Sequence, residues 1–240
     1  MLIFAIMINE VRQNVLAILN KNNYGYLTPA DFNLFAKQAQ LEIFENYFYD
    51  YDYTINKQNA MRSGDGYADI GRGLEEVIDS FSVTATLTQA TPGTSLYSLP
   101  SDYYLVNKVI YGTIEAERVT QSKILYLTTS PLTAPTKTYP AYILGGNTIT
   151  VYPTNITGAT DISAQYLRYP LDPNWTYSTL SSGEAVFNSS AVGYQDFELP
   201  QSDMYNLIMK ICEYAGVQIR EAQVVQYAQA EEAQNKAEEK

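Results

Sequence analysis

The chain has 240 residues, of which 46% are hydrophobic and only 17% are charged, a composition typical of a folded protein and not of a disordered one. Its 26 acidic residues outnumber its 15 Lys and Arg residues, and the net charge of −11 disfavours a dedicated nucleic-acid-binding protein, because such proteins use Lys and Arg to neutralise phosphates. The sequence has no histidine, which removes the most common general base near neutral pH and the most common metal ligand, and its single cysteine, Cys212, cannot form an internal disulfide.

The first seven residues, MLIFAIM, form a short apolar segment. This segment is too short to span a bilayer, and it lacks the charged region and the cleavage site of a signal peptide. Met7 stands directly before the first amphipathic pattern, and we expect translation to begin there rather than at Met1. No membrane partner is expected.

Three helices are predicted in the first third of the chain. Residues 8–20 have apolar positions at helical spacing. A second helix starts with Thr28 as N-cap and Pro29 at the first helical position, and it runs to about residue 51. A third covers about residues 68–81. The apolar positions that define them are Ile8, Val11, Val15, Ile18 and Leu19 in the first, Phe32, Phe35, Ala36, Ala39, Ile43 and Tyr47 in one stripe of the second, Leu34, Leu41, Phe44, Phe48 and Tyr51 in its other stripe, and Ile70, Leu74, Val77, Ile78 and Phe81 in the third.

The pattern changes after Phe81 to alternating apolar and polar residues, which is typical of half-buried strands. Gly145, Gly146 and Asn147 lie between two such runs and predict a tight hairpin. Frequent prolines argue against long helices in this region. An extended loop is predicted over residues 171–192. The predicted strands cover residues 83–87, 96–99, 103–111, 141–144, 148–152 and 162–169.

Helical spacing returns after Pro200 and continues to Val225, and beyond Tyr227 the sequence keeps a high helix propensity but loses its apolar face. The order of elements predicts an α+β fold in which N- and C-terminal helices form a bundle that carries an inserted antiparallel β-domain. The predicted boundaries are 1–81 for the N-terminal helices, 82–198 for the β-rich domain and 199–240 for a long C-terminal helix that completes the bundle.

No catalytic residue, metal site or cofactor site is predicted. Residues 20–32 imitate a calcium-binding loop, but the first three ligand positions hold no acid and the last holds Asp31 in place of the usual glutamate. A turn between helices, with Gly25 at a positive φ, accounts for the same residues. The sequence has no histidine to activate a serine or threonine nucleophile, and it has neither a G-x-S-x-G nor an S-x-x-K motif. The carboxylates show no spacing that pairs two of them for acid–base chemistry.

Tyrosine is unusually frequent, with 22 residues, and tyrosine is enriched where proteins contact one another. A tyrosine-rich core is the other interpretation of the same count. The only tryptophan, Trp175, has two interpretations as well: it binds a sugar by stacking, or it fills a hydrophobic seam.

Three segments of the chain, residues 27–51, 140–175 and 198–232, together form a recognisable pattern. They include the strings LTPADFNLFAKQ, GGNTITVYP, QYLRYPLDPNW and ELPQSDMYNLIMKICEYAG. This pattern resembles the head-to-tail connector proteins, also called adaptor or ring proteins, of short-tailed bacteriophages, above all those of the crAss-like group. The step from Leu99 to Tyr103 into a strand is similar to that of tail-tubular adaptors.

The resemblance implies a virion structural protein without enzymatic activity that assembles as a dodecameric ring below the portal. Its implied partners are copies of itself, the portal protein, and further connector or tail proteins, with DNA passing through the ring without specific binding. The implied place of synthesis is the cytoplasm of the bacterial host. The late helix, residues 203–227, is expected to mediate subunit contacts together with the acidic tail. The predicted interface residues are Tyr205, Met209, Tyr214, Gln218, Gln223, Tyr227, Glu231 and Trp175.

A carbohydrate- or host-surface-binding β-module of a phage tail is the alternative prediction, and it would use Trp175 and the tyrosine-rich loops. A glycosidase is a third interpretation, and a capsid or tail-tube protein is a structural neighbour that the sequence separates poorly from a connector.

Overall fold

The computed structural model describes residues 8–19, 27–59 and 69–219 and the helical residues 229, 230 and 233. The chain divides into two compact units: residues 1–77 with 170–240, here called the helical unit, and residues 78–169, here called the β unit. The elements in chain order are α1 (Ile8–Ile18), α2 (Pro29–Asn59), α3 (Asp69–Asp79), β1 (Ser82–Thr86), β2 (Thr88–Gln89), β3 (Leu96–Ser98), β4 (Tyr103–Tyr111), β5 (Ile114–Arg118), α4 (Gln121–Thr129), β6 (Ala141–Gly145), β7 (Thr148–Tyr152), β8 (Ile162–Arg168), β9 (Tyr177–Thr179), β10 (Ala185–Phe187) and α5 (Met204–Ile219).

The α+β class predicted from the sequence is confirmed by these elements. The expected start at Met7 and most of the calcium-loop imitation, residues 20–26, lie outside the described residues. The sequence pattern assigned residues 170–198 to the β-rich domain, whereas compactness places them with the helices.

Helix α2 begins where the sequence predicts. The Thr28 hydroxyl oxygen accepts a hydrogen bond from the backbone N–H of Asp31 (3.2 Å), and Asp31 accepts bonds from the backbone N–H (3.4 Å) and the hydroxyl (2.6 Å) of Thr28. This reciprocal arrangement satisfies N–H groups that the first turn of a helix leaves without partners. The helix ends at Asn59, beyond the predicted end near residue 51.

The helical unit is held together by helices α1 and α2, both of which pack on α5. The predicted stripes of α1 and α2 are largely confirmed, but Ile18 and Leu34 are exposed, because a helix that packs on one side leaves the opposite face in solvent. The buried residues that form these contacts are Ile8, Val11, Val15, Phe32, Ala36, Ala39, Ile43, Phe44 and Tyr47 from α1 and α2, and Leu207, Ile208, Ile211, Cys212 and Ala215 from α5.

The β unit contains an eight-stranded sheet with the strand order β1-β8-β4-β5-β6-β7-β3-β2. Its long central pair is antiparallel and runs from Tyr103 opposite Arg168 to Tyr111 opposite Ile162. The predicted antiparallel arrangement holds for every pair of this sheet except β5 with β6, which are parallel. Parallel neighbours require a crossover connection, and α4 lies in that connection. The sequence patterns did not predict β5 or α4.

The interior of the β unit is formed by alternate residues of its strands. The predicted hairpin between β6 and β7 is confirmed, with Gly146 at φ +58°, a conformation that glycine adopts without steric cost. The buried residues of this core are Leu87, Tyr97, Leu99, Val106, Val109, Ala116, Tyr142, Ile149, Val151, Ile156, Ile162, Ala164 and Tyr166.

Residues 171–192, predicted as an extended loop, contain the short antiparallel hairpin of β9 and β10. Asn174 pairs with Gln195 in an isolated bridge beside it. The region therefore contains regular secondary structure where an extended loop was predicted.

Candidate interaction surfaces

Trp175 lies in the interior of the helical unit and is only 2% exposed. Its ring stacks with those of Tyr177 (centroids 5.6 Å apart) and Phe187 (6.0 Å), and the guanidinium carbon of Arg12 lies 4.0 Å from its centroid. The indole N–H donates to the side-chain oxygen of Asn9 at 3.1 Å. Trp175 thus fastens the β9–β10 region to α1 and presents no free ring face to a sugar.

Two amide side chains of α2 bind the backbone of the segment that contains Trp175. The Asn33 oxygen accepts from the backbone N–H of Trp175 (2.9 Å), and its nitrogen donates to the carbonyl of the same residue (3.3 Å). Two turns later, Gln40 donates to the carbonyl of Leu171 (2.8 Å) and accepts from the N–H of Glu198 (3.0 Å). Residues seven apart share one helix face, so both amides lie on the same side of α2. Neither residue was predicted to make a contact; the signal in the sequence was a polar amide within an otherwise apolar stripe.

Arg12 is the charged residue of the Trp175 cluster. Its Nε is buried and has no hydrogen-bond partner among the described residues, and burial lowers the pKa of its guanidinium. A cation over an indole face is attracted by the ring quadrupole, which compensates for part of the lost hydration. The cluster as a whole is a packing and hydrogen-bonding site within one chain.

Between α2 and α5 lies a second polar contact, centred on a buried lysine. Lys210 is 8% exposed, and its ammonium lies 2.6 Å from Glu42 Oε1 and 3.9 Å from Glu213 Oε2. The hydroxyl of Tyr214 donates to the other oxygen of Glu42. The carboxylate of Glu42 is thereby bound from α5 by a cation and a hydroxyl, which satisfies the buried charge of Lys210.

Near the start of α5, the hydroxyl of Tyr47 donates to the carboxylate of Asp203. Burial raises the pKa of Asp203, and the hydrogen bond from Tyr47 opposes this shift in part. Burial also raises the pKa of Tyr47, and the nearby Asp203 charge adds to the increase. Burial raises the pKa of the Cys212 thiol to about 12, so this cysteine is a packing residue and not a reactive thiol.

Four of the eight predicted interface residues have described side chains. Tyr205 is exposed, as an interface residue of a free subunit should be. Met209 and Trp175 are buried in their own chain, because α5 and the β9–β10 region pack against α1 and α2. Tyr214 is half-buried and bound to Glu42. Their contacts with a second chain stay a prediction.

Of the other four predicted interface residues, Gln218 belongs to α5 by its backbone, but its side chain is not described. Gln223, Tyr227 and Glu231 lie outside the described residues. Gln229 donates a hydrogen bond of 3.1 Å to Glu213.

The two units differ sharply in charge. The helical unit contains 21 acidic and 10 basic residues, a net charge of −11, whereas the β unit contains five of each and is neutral. Within the β unit, no acidic residue occurs from Arg118 to Thr160. Electrostatic repulsion between copies of this chain therefore arises from the helical unit.

The largest exposed apolar side chains of the β unit belong to α4 and the loop that follows it. Leu125 is 69% exposed, Tyr126 76%, Leu132 97% and Tyr139 79%. Residues 121–139, here called the α4 surface, contain only two charged residues, Lys123 and Lys137. The helical unit has its own exposed apolar residues on and beside the β9–β10 hairpin, namely Tyr177, Leu180, Val186 and Val192. Exposed apolar side chains that occur together indicate contact surfaces.

A shallow groove of about 400 Å³ lies in the β unit where β5 leaves β4 and joins β6. It is mixed in charge: Lys108 lies 3.3 Å from Glu115, and both side chains are more than half exposed. Its two carboxylates, Glu115 and Glu117, are exposed to solvent, whereas a general acid lies in a cleft that shields it from water. The lining residues are Asn107, Lys108, Glu115, Ala116, Glu117, Arg118 and Tyr142.

Neither a metal-binding cluster nor a membrane-spanning helix occurs among the described residues. Across these parts of the chain, no three Asp, Glu, Cys or His side chains lie close enough together to hold a metal ion. Of the helices in residues 8–19, 27–59 and 69–219, none combines the length and the apolar character that crossing a bilayer requires.

A protein-family model described as "SU10 adaptor protein" matches residues 35–238, which includes most of the helical unit and all of the β unit. No significant match was found among curated proteins.

Proposed function

Since this chain belongs to the SU10 adaptor protein family, a family of phage adaptor proteins, we propose that it is a virion subunit that forms a ring between the portal and the tail. The family match over residues 35–238 is the observation that carries this proposal. The finer features, a dodecameric ring and a channel for DNA, are part of the proposal. Assignment to the crAss-like type in particular stays a prediction.

Ring formation needs surfaces that bind a second copy, and the chain has exposed apolar side chains in both of its units. A ring is built from heterologous contacts, in which one patch of a subunit meets a different patch of the next. Two separate apolar surfaces on one chain are suited to such contacts.

The charge of the chain supports a channel that does not hold DNA. A subunit with a net charge of −11 repels phosphate groups, so a ring of such subunits lets DNA pass without specific binding. We propose the portal protein and further connector or tail proteins as the other partners, and the cytoplasm of the bacterial host as the place of synthesis.

We propose no enzymatic activity, in keeping with the structural role of the family. The alternative of a carbohydrate-binding module relied on Trp175, and burial of that ring removes its main support. No observation on the described residues favours it over a connector.

Quantitative peptide mapping of purified virions tests the proposal. We expect peptides from this chain in the particles at about twelve copies per portal vertex, with the portal protein as internal standard and a non-structural phage protein as negative control. Absence of this chain from washed particles would refute the proposed function.

A further inference from the structure

The longest stretch of the chain without an acidic residue lies between Glu117 and Asp161. It contains Arg118, Lys123 and Lys137, a net charge of +3 within a chain of net charge −11. The rest of the chain therefore carries −14. A surface from this stretch is attracted to the acidic parts of another copy, whereas the helical units of two copies repel each other.

Helix α4 gives this stretch an outward apolar face. Ile124 is buried with Val119 and Ala141, and this contact fixes which side of the helix faces the sheet. Leu125 and Tyr126, the next residues, consequently point to solvent. The helix carries two threonines whose hydroxyls are bonded to carbonyls of its own preceding turn, at 2.6–3.1 Å, so they add little polarity to this face.

The loop after α4 is held by its own backbone hydrogen bonds. Ala134 N–H donates to the carbonyl of Ser130 (2.9 Å), and Thr136 and Tyr139 exchange backbone hydrogen bonds of 3.1 Å in both directions. Leu132 and Tyr139 are therefore exposed from an ordered loop, which reduces the entropy that a partner must remove on binding.

We propose that the α4 surface, residues 121–139, docks on the acidic helical unit of a second copy of this chain. Lys123 and Lys137 provide attraction to that unit, and Leu125, Tyr126, Leu132 and Tyr139 provide apolar area whose burial stabilises the contact. The contact joins different parts of two copies, as closure of a ring requires. This inference rests on the proposed ring and adds the surface through which its subunits meet.

Site-specific photo-cross-linking in assembled virions tests the surface. The photoreactive residue p-benzoylphenylalanine replaces Tyr126 or Tyr139, both exposed aromatic positions, and Thr113, exposed at the β4–β5 turn, is the control. Mixed isotope labelling separates cross-links between copies from those within one copy. We expect Tyr126 and Tyr139 to cross-link to peptides of residues 1–77 or 170–240 of a second copy, and Thr113 to do so much less.

Cross-links from Tyr126 and Tyr139 that reach only the portal, another tail protein or their own copy would overturn the inference while the chain's presence in virions upholds the proposed function. Absence of the chain from virions would refute the proposed function itself.

In that case the same photoreactive variants are irradiated as concentrated purified protein at low ionic strength. We expect K123E/K137E to lower the yield of cross-linked dimer several-fold, and no dimer or an unchanged yield would overturn the inference.

Discussion

The helical unit and the β unit are stabilised in different ways. In the helical unit, buried polar groups make specific contacts: the Asn33 and Gln40 amides, the indole of Trp175 and the Lys210–Glu42 pair. In the β unit, the core is a cluster of apolar and tyrosine side chains, and its ion pair between Lys108 and Glu115 lies at the surface. We therefore expect the loss of stability to be large for substitutions at these buried contacts of the helical unit and small for substitutions at the exposed ion pair of the β unit.

The largest effect is expected for Trp175→Ala. The variant loses a fully buried aromatic side chain and leaves the Asn9 oxygen without its donor, so we expect a loss of about 3–5 kcal/mol in the free energy of unfolding. Urea titration followed by far-UV circular dichroism measures it. Leu180→Ala, on the exposed part of the same region, is the control and should change stability by less than about 0.5 kcal/mol.

Glu42→Ala should come next. Removing this carboxylate takes away the nearest anion of the buried Lys210 ammonium and the hydrogen bond from the Tyr214 hydroxyl, and we expect a loss of about 2 kcal/mol in the free energy of unfolding. Glu45→Ala, an exposed position one turn away on α2, is the matched control. Equal losses in the two variants would contradict the structural role of the buried pair. Fluorescence of Trp175, the only tryptophan, monitors the helical unit in both.

Asp203→Asn should change how the stability of the helical unit depends on pH. Burial raises the pKa of Asp203 above its unfolded value, so the folded state binds this proton more tightly than the unfolded state does. The resulting stability is complete below the unfolded pKa, near 4, and is lost as the pH rises through the folded pKa.

Asparagine keeps the acceptor for Tyr47 and removes the titration. Urea unfolding at pH 3 and pH 7 should therefore show D203N gaining stability relative to the unsubstituted chain at the higher pH. Asp172→Asn, in an exposed ion pair, is the control. A relative gain at pH 3 would show that the sign is wrong.

The smallest effect is expected for Lys108→Ala in the β unit. Its ion pair with Glu115 is more than half exposed on both sides, and such pairs contribute at most about 0.5–1 kcal/mol. Thermal unfolding at low and high salt measures this contribution. A loss as large as that of Glu42→Ala would remove the distinction between the two units.

Much of this fold was predictable from local patterns. The signal from Thr28 and Pro29 located the start of α2, and apolar alternation located β4 and β7 at their observed bounds. Strand β5 escaped prediction because three of its five residues are charged, and only Ile114 and Ala116 carry the apolar alternation.

The contact residues were harder to predict because their environment is set by parts of the chain far apart in sequence. Trp175, for example, contacts Asn9 and Arg12, which lie more than 160 positions earlier in the chain. Helix α4 was not predicted, because the frequent prolines of this region argue against helices. Its exposed residues Leu125 and Tyr126 were therefore not predicted as contact residues. No local pattern reports which face of a helix a distant segment will cover.

We propose that this chain works through its contact surfaces as a ring-forming adaptor between portal and tail. An electron cryo-microscopy reconstruction of the portal vertex of the intact virion tests this proposal. We predict a closed ring of this chain below the portal, with α4 and the loop after it at the contact between neighbouring copies. A vertex whose density is fully accounted for by other proteins, or this chain located outside the connector, would contradict the account.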